Sequence, residues 1–256
     1  MTLAVRNLSF RYGRTPVLSA ISVPPLTRGA VTALIGPNAA GKSTLLRCIA
    51  GLVARYSGSV TWDAKPLEEL STRERVRRVC FMPQFFASNA ALTVFEVVLL
   101  SRKNLAGWAV ENDDVDVVAQ VLAELGIANL AERDIGALSG GQQQLVSIGQ
   151  ALVRSPDVFL FDEPTSALDL KHQLEVMSRI RKETVARETV TVVAMHDLNL
   201  AARFADRLVL MRDGAVLSSG PPNEVLRDPA LAQTYGVSVD LLHHEHHGLH
   251  VHASLA

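Results

Sequence analysis

An α/β fold with a mostly parallel sheet is what this chain predicts, on three observations. Strand-like and helix-like stretches alternate along most of its length. A glycine-rich turn, "GPNAAGKST" (Gly36 to Thr44), lies between an apolar run and an amphipathic segment. Two later apolar runs, "DVFLFDEP" and "TVTVVAMHD", end in acids or a histidine. Alternation of this kind builds parallel strands joined by helices, with ligands bound at the strands' carboxyl ends.

The elements follow in order. Residues 3 to 10 and 17 to 23 alternate apolar and polar positions and are expected to be strands. "AVTALIG" (30 to 36) is a buried strand feeding the glycine-rich turn, and "KSTLLRCIAGL" is the helix after it. "SGSVTWDAKPL" joins a Ser-Gly turn to a short strand, and "VRRVCFMPQ" is another strand. From about Leu92 to Asn129 the apolar period becomes helical, clearest in "LTVFEVVLLSRK" and "DDVDVVAQVLAELGI". That predicts a helical lobe, about residues 88 to 155, inserted in the α/β domain. "LSGGQQQLV" (Leu138 to Val146) opens a further helix, with Leu145, Ile148 and Leu152 at helical spacing. "DVFLFDEP" and "TVTVVAMHD" are buried strands, and "DRLVLMRDGAVLSSG" is a hairpin turned at Asp213-Gly214.

Composition narrows the function. Lys and Arg total 25 against 26 Asp and Glu, for a formal net charge of −1. This balance argues against nucleic acid as a partner and against an acidic solvating tail. Hydrophobic residues make up 48% of the chain, yet the longest apolar stretch, Ala90 to Leu100, is cut by Thr93 and Glu96. It is too short to span a bilayer. The opening "MTLAVRNLSFRYG" lacks the basic start and continuous apolar core of a secretory signal, so the expected site of action is the cytoplasm. Cys48 and Cys80 lie in apolar surroundings without metal spacing and are expected to be buried thiols. At 256 residues the chain accommodates one large domain with a smaller lobe.

The chemistry-bearing residues cluster in short motifs. "GPNAAGKS" fits the G-x-x-x-x-G-K-S pattern, between a strand and a helix, so that backbone N–H groups wrap phosphates, Lys42 reaches the outer ones and Ser43 binds Mg²⁺. Ala39 stands where such a loop uses left-handed backbone, at a cost on the order of 1 kcal/mol. In "FLFDEP", Asp162 is placed to hold the magnesium shell and Glu163 to orient or deprotonate water. Two acids closing a strand are equally a solvated strand end when taken alone; the phosphate loop in the same chain favours catalysis. His196 closes its strand in the same way and is a candidate γ-phosphate contact. "LSGGQ" is a second anion site by construction: a serine caps the helix, and its glycines let a ligand approach the backbone.

In this order, with "MPQ" between the first two, "GPNAAGKST", "LSGGQ", "VFLFDEPTSALD" and "AMHDLNLA" resemble the motifs of the ATP-binding-cassette ATPases, over about residues 2 to 235. The resemblance implies a P-loop NTPase core with a mostly parallel sheet, an antiparallel β subdomain and an inserted α-helical subdomain. Residues 1 to 235 would form the ATPase domain and 236 to 256 a His-rich C-terminal extension. ATP and Mg²⁺ are the implied cofactors. Gly36, Asn38, Ala39, Gly41, Lys42, Ser43 and Thr44 would hold ATP, and Tyr12 in "FRYG" would stack on adenine, although an aromatic at a strand end is as good a reading of Tyr12 alone. Ser43, Gln84 and Asp162 would meet Mg²⁺, with Gln84, Glu163 and His196 as the catalytic set. In that family two cassettes pack head to tail. Ser139, Gly140, Gly141 and Gln142 would therefore bind the γ-phosphate held by the other molecule, and Asp169 in "SALD" would link the two sites. That answers why one chain carries two phosphate sites.

Within the family, "LTVFEVVLLSRK", "LSGGQQQLVSIGQALV" and "HDLNLAARFADRLVLMRDG" are most similar to the ATPases of bacterial importers for iron-siderophores, haem and cobalamin. Ser101-Arg102 stands where many of those have Gly-Arg, and Leu145 and Gln150 where many cassettes carry arginine. The implied partners are a second copy of the chain, a separate permease docking on the helical lobe near Gln84 and the segment after it, and a periplasmic or surface binding protein reached through the permease. The implied location is the cytoplasmic face of the cell membrane. A DNA-repair cassette would need a long coiled-coil insertion, for which the interval from Lys42 to Ser139 has no room, and a translation-type protein usually carries two cassettes. A regulatory nucleotide-binding module is the remaining alternative, against which Lys42, Glu163 and His196 argue together.

"HHEHHGLHVH" holds six of the eight histidines: His243, His244, His246, His247, His250 and His252. One reading is a solvated hairpin turned near Gly248. The other is a metal or haem contact, because His250 and His252, two apart on a strand, point the same way.

Overall fold

Two strands longer than their apolar alternation predicts open the chain: β1 (Thr2–Tyr12) and β2 (Thr15–Thr27). They pair antiparallel with several register shifts, which break the period-two pattern at their ends. Pro24 and Pro25 fall in β2, an edge strand, where a missing N–H is tolerated. The computed structural model describes residues 2–53, 55–84, 91–103, 110–244 and 248–255.

β3 (Val31–Ile35) then runs into the glycine-rich turn and α1 (Lys42–Ala50). β4 (Ser57–Trp62) and β5 (Lys65–Pro66) follow, then α2 (Thr72–Arg78) and β6 (Val79–Met82). The predicted helical lobe contains α3 (Val94–Lys103), α4 (Asn112–Glu124) and α5 (Gly140–Leu152). Beyond it lie β7 (Val158–Asp162), α6 (Leu170–Ala186), β8 (Val190–Ala194), α7 (Leu198–Phe204) and the hairpin β9 (Arg207–Arg212) and β10 (Ala215–Gly220). α6 has no counterpart in the sequence expectations, because its apolar stripe is thin: Val176, Met177 and Ile180 are buried beside Glu183 and Thr184. Two short helices, α8 (Pro222–Val225) and α9 (Pro229–Tyr235), lead to a second hairpin, β11 (Val237–His244) and β12 (Gly248–Leu255).

One antiparallel sheet has the order β2-β1-β4-β5, and a six-stranded sheet has the order β10-β9-β3-β8-β7-β6. In the second sheet β9, β3, β8, β7 and β6 are mutually parallel, and only β10 runs against its neighbour. Both faces of that sheet are covered, so its inner strands read as continuous apolar runs. Along β7, Phe159 and Phe161 enter the core shared with the helical lobe. Val158 and Leu160 enter a second core with α1 and the antiparallel sheet, around Leu45, Leu46, Leu3 and Leu8. Each such side chain contributes about 1.5–3 kcal/mol on burial. Cys48 and Cys80 are free, buried thiols, and burial pushes that of Cys48 up to about 12.

The histidine-rich end is a docked hairpin. Val251 is buried in the first core, opposite Leu241. The Asn199 side chain accepts a 2.7 Å hydrogen bond from the Val251 N–H and donates one of 3.2 Å to its carbonyl, bracketing that residue as a neighbouring strand would. His250 and His252 flank Val251 and point to the exposed side. His246 and His247 lie outside the described residues.

Candidate functional site

Because β3, β8, β7 and β6 are parallel neighbours in that order, the segments following all four open at one edge of the sheet. The glycine-rich loop follows β3, His196 follows β8, Glu163 follows β7 and Gln84 follows β6. Residues scattered through the sequence are gathered there by topology.

The loop is shaped by its glycines. A Cβ on Gly36, at φ 146°, would sit 2.1 Å from the Met211 carbonyl oxygen, so no other residue fits. Gly41 caps α1 at φ 98° without a side-chain hydrogen bond, leaving the helix's first amides to an incoming anion. Ala39 sits at φ 64°, the left-handed backbone its position calls for.

Lys42 is 5% exposed, and its Nζ donates to the carbonyls of Gly36 at 2.7 Å and Pro37 at 3.0 Å. Burial lowers its pKa, while Glu163 and Asp162 push the other way. The Ser43 hydroxyl donates a 2.7 Å hydrogen bond to Asp162 Oδ1. Asp162 is itself buried; desolvation raises its pKa against the bond from Ser43, and the negative charge of Glu163 adds to the rise. Glu163 takes a left-handed conformation, φ 50°. Its carboxylate Oε2 accepts a 2.8 Å hydrogen bond from Gln84 Nε2 and lies 3.7 Å from His196 Nδ1. Strained backbone at a carboxylate of this kind is the usual companion of a functional constraint.

A cavity of about 730 Å³ is lined by residues 38–44, Gln84 and Glu163, while Gly36, Asp162 and His196 stand outside its lining. Its other wall is Thr15, Pro16, Val17, Asp213 and Gly214, none of which the motifs pointed to. Asp213-Gly214 was legible only as a hairpin turn; it reaches the loop because β9 is the parallel neighbour of β3, and the Gly214 N–H donates to the Ala40 carbonyl at 3.2 Å. Tyr12 does not line this cavity. It stands 47% exposed at the end of β1, its ring edge-on to Phe10.

The second anion motif is elsewhere. Ser139 caps α5 in a reciprocal capping box with Gln142. Ser139 and Gly140 are exposed, and a separate cavity of about 590 Å³ is lined by Ser139, Gly141, Gln142, Ala167, Leu168, Asp169 and His172 among others. Asp169 caps α6 and accepts from the backbone and ring of His172, which hold its carboxyl below the usual range. The two cavities share no lining residue. A loop with a buried lysine, paired acids and an amide bonded to one of them can bind and cleave a phosphoanhydride; a capped glycine helix can only bind one.

The ABC transporter family matches residues 24–166. Over 249 residues the chain is 37% identical to the hemin import ATP-binding protein of Thermobifida fusca, covering 97% of this chain and 87% of that one. It is 32% identical over 243 residues to the iron(3+)-hydroxamate import ATP-binding protein of Bacillus subtilis, covering 94% and 90%. Its fold superposes on a dimeric, post-hydrolysis ATP-binding cassette bound to ADP and phosphate, with a TM-score of 0.78 and 28% identity, covering 86% of this chain and 98% of that one. With its phosphate loop, strand-end acids and capped glycine helix in one fold, this chain belongs to the ABC transporter family and is an ATP-binding, ATP-hydrolysing cassette.

Proposed function

We propose that the chain is the ATPase subunit of a bacterial importer that takes up a metal chelate, of the iron-siderophore, haem or cobalamin kind, through a separate membrane permease. The observation that carries this is the pair of half-sites: one subunit bears a catalytic cavity and a distant binding cavity with no residue in common. Such half-sites complete each other when two copies meet head to tail, so the working unit is a homodimer holding ATP between Lys42 of one copy and Ser139 of the other. The two importer relatives, both acting on iron chelates by name, support the substrate class.

Within each composite site we assign the following roles, which the geometry supports. Amides from Asn38 to Thr44 and the Lys42 ammonium neutralise the phosphates, and Gly36 lets the loop turn back under them. Mg²⁺ fits the hard oxygen donors Ser43 and Asp162, whose 2.7 Å contact sets them side by side, with the Gln84 amide nearby; when bound it screens the charge developing on the phosphates. Glu163 accepts the proton of the attacking water, held in place by Gln84, while His196 approaches the γ-phosphate. Ser139, Gly140, Gly141 and Gln142 close the site from the other subunit, and Asp169 joins the two. Tyr12, exposed at its strand end, offers a ring to adenine.

Among the described residues no helix is long and apolar enough to cross a membrane, in keeping with a peripheral subunit on the cytoplasmic face. Residues 1–235 act as the cassette, with the lobe of about residues 88–155 receiving the permease. A groove lined by Phe81, Met82, Ser101, Gln150 and Arg154 adjoins Gln84 and suits that contact; residues 85–90 lie outside the described ones. ATP-driven closure then moves the permease, because a ligand bridging both subunits favours the closed state. Within the extension of residues 236–256, β12 is docked on α7.

The experiment is to purify the subunit with its permease and to measure ATPase activity with binding proteins loaded with different chelates. Stimulation by one chelate-loaded binding protein supports the reading and names the substrate. Turnover indifferent to every loaded binding protein would favour a cassette that serves no importer.

A further inference from the structure

The catalytic cavity and the binding cavity of one subunit are bordered by the two ends of a single short segment. Glu163 lines the first, and Ala167, Leu168 and Asp169 line the second. A side chain from α5 bridges Glu163 and Ala167 within that segment. Gln144, 5% exposed on the second turn of α5, donates from Nε2 to the Glu163 carbonyl at 2.9 Å and accepts at Oε1 from the Ala167 N–H at 2.9 Å. Both ends of its amide are therefore used, and both on backbone.

The rest of the contact leaves little slack. Glu163 is pinned on its other side by a 3.0 Å bond from its N–H to the Ala194 carbonyl, and its φ of 50° needs outside support to persist. The Gly141 backbone lies so close to the segment that a Cβ there would be 3.0 Å from the Ala167 carbonyl oxygen. The helix that presents Ser139 to a phosphate is thus bonded directly to the backbone of the residue that deprotonates water in the same subunit.

We propose that Gln144 is a positioning residue coupling the two half-sites of one subunit. It holds Glu163 in its strained conformation and passes any shift of α5, on engaging the partner's ATP, to the subunit's own catalytic carboxylate. This rests on the head-to-tail reading above. Gln144 touches no reacting atom; it acts through the backbone of Glu163 and Ala167.

The test compares full-length wild type with Gln144→Met, which keeps volume and loses both hydrogen bonds, and Gln144→Glu, which keeps an acceptor for Ala167 and sets an oxygen against the Glu163 carbonyl. Both variants should bind ATP with KM within about threefold of wild type, because the phosphate loop is untouched. Turnover should fall about 10- to 100-fold for Gln144→Met, as small misplacements of a catalytic group do, and at least as far for Gln144→Glu, whose buried carboxylate is repelled by the Glu163 carbonyl. The Hill coefficient for ATP should drop to about 1. In a Glu163→Gln background, Gln144→Met should still trap an ATP-bound dimer. Folded variants with wild-type turnover and cooperativity overturn the proposal, as does a KM that rises in step with the loss of kcat. If Gln144→Met does not fold, the same readouts on Gln144→Glu decide. Failure of Glu163→Gln alone to trap a dimer would sink the head-to-tail reading and leave the cis contact to be judged by kcat and KM.

Discussion

Gln84 Nε2 and Glu163 Oε2 are joined by a hydrogen bond of 2.8 Å, and they come from neighbouring parallel strands whose residues are far apart in sequence. The amide fixes where the carboxylate stands, so its effect is on orientation. His196, 58% exposed and 3.7 Å from the same oxygen, leaves the carboxylate accessible from the edge of the sheet.

Glu163→Gln should abolish turnover while leaving ATP binding intact. An amide cannot take a proton from water, and losing a positioned base costs typically 10²- to 10⁴-fold in rate. The phosphate contacts of Lys42 and the loop amides survive, so the variant should accumulate as an ATP-bound dimer on gel filtration. Hydrolysis within tenfold of wild type would remove Glu163 from its assigned role.

Mixing a Lys42→Ala subunit with a Ser139→Arg subunit should restore one intact composite site per heterodimer. Each mutant homodimer has both sites damaged, whereas the heterodimer pairs an intact loop with an intact capped helix in one of its two. Trapped-nucleotide binding is the readout, since turnover depends on both sites acting together. A mixture that traps no more nucleotide than its parents would contradict the head-to-tail arrangement.

Asp114, buried at the start of α4, pairs with Lys103 Nζ and Arg102 Nε, each at 2.6 Å, and accepts from the Glu111 N–H. These partners hold its carboxyl far below the usual range, with Lys103 the largest influence. A lowered folded-state pKa means stability that is present above the unfolded carboxyl's value of about 4 and is lost as pH falls through the folded one. The gap in Tm between wild type and Asp114→Asn should therefore be full at neutral pH and close on acidification well below pH 4. A gap that stayed constant to the acid limit would assign the effect to packing.

At the histidine-rich end, Asn199→Ala should cost about 1–3 kcal/mol, because it removes both bonds to Val251 and strands a buried backbone. For a chain of this size that lowers Tm by roughly 2–10 °C. His250→Ala and His252→Ala, both exposed, should stay within about 0.5 kcal/mol of wild type. Micromolar zinc, iron or haem, added to the ATPase assay, tests the metal reading of the six tail histidines. Inhibition by one of these ligands, removed when all six tail histidines become alanine, would establish the end as a sensor.

What could be read from the sequence differs from what could not by the distance over which each feature is assembled. The phosphate loop, the acids at 162 and 163 and the capped glycine helix are local, each written in fewer than about ten residues around one strand or helix end. Thr15, Pro16 and Val17 carry no such signal; they reach the cavity because β2 passes beside the β9–β10 turn, where the Ser19 N–H meets the Gly214 carbonyl. Gln144 was indistinguishable from its neighbour Gln143 until α5 was set against the segment after β7. α6 escaped notice because five buried positions among 17 residues, two of them polar, make too faint a stripe.

The strand order has a consequence for how the chain is made. β3, which carries the phosphate loop, lies between β8 and β9, and both of those are synthesised after residue 189. At translation rates of ~5–20 residues per second, β3, all five of whose residues are buried in the finished fold, waits on the order of ten seconds or more on the ribosome before either neighbour exists. During that interval β1 can pair with β2 and β4, and β6 with β7, while β3 offers two bare edges to any other chain nearby. A ribosome that stalls before β8 releases a product whose nucleotide loop is complete in sequence while β3 lacks both of its sheet neighbours, a substrate for chaperones and proteases.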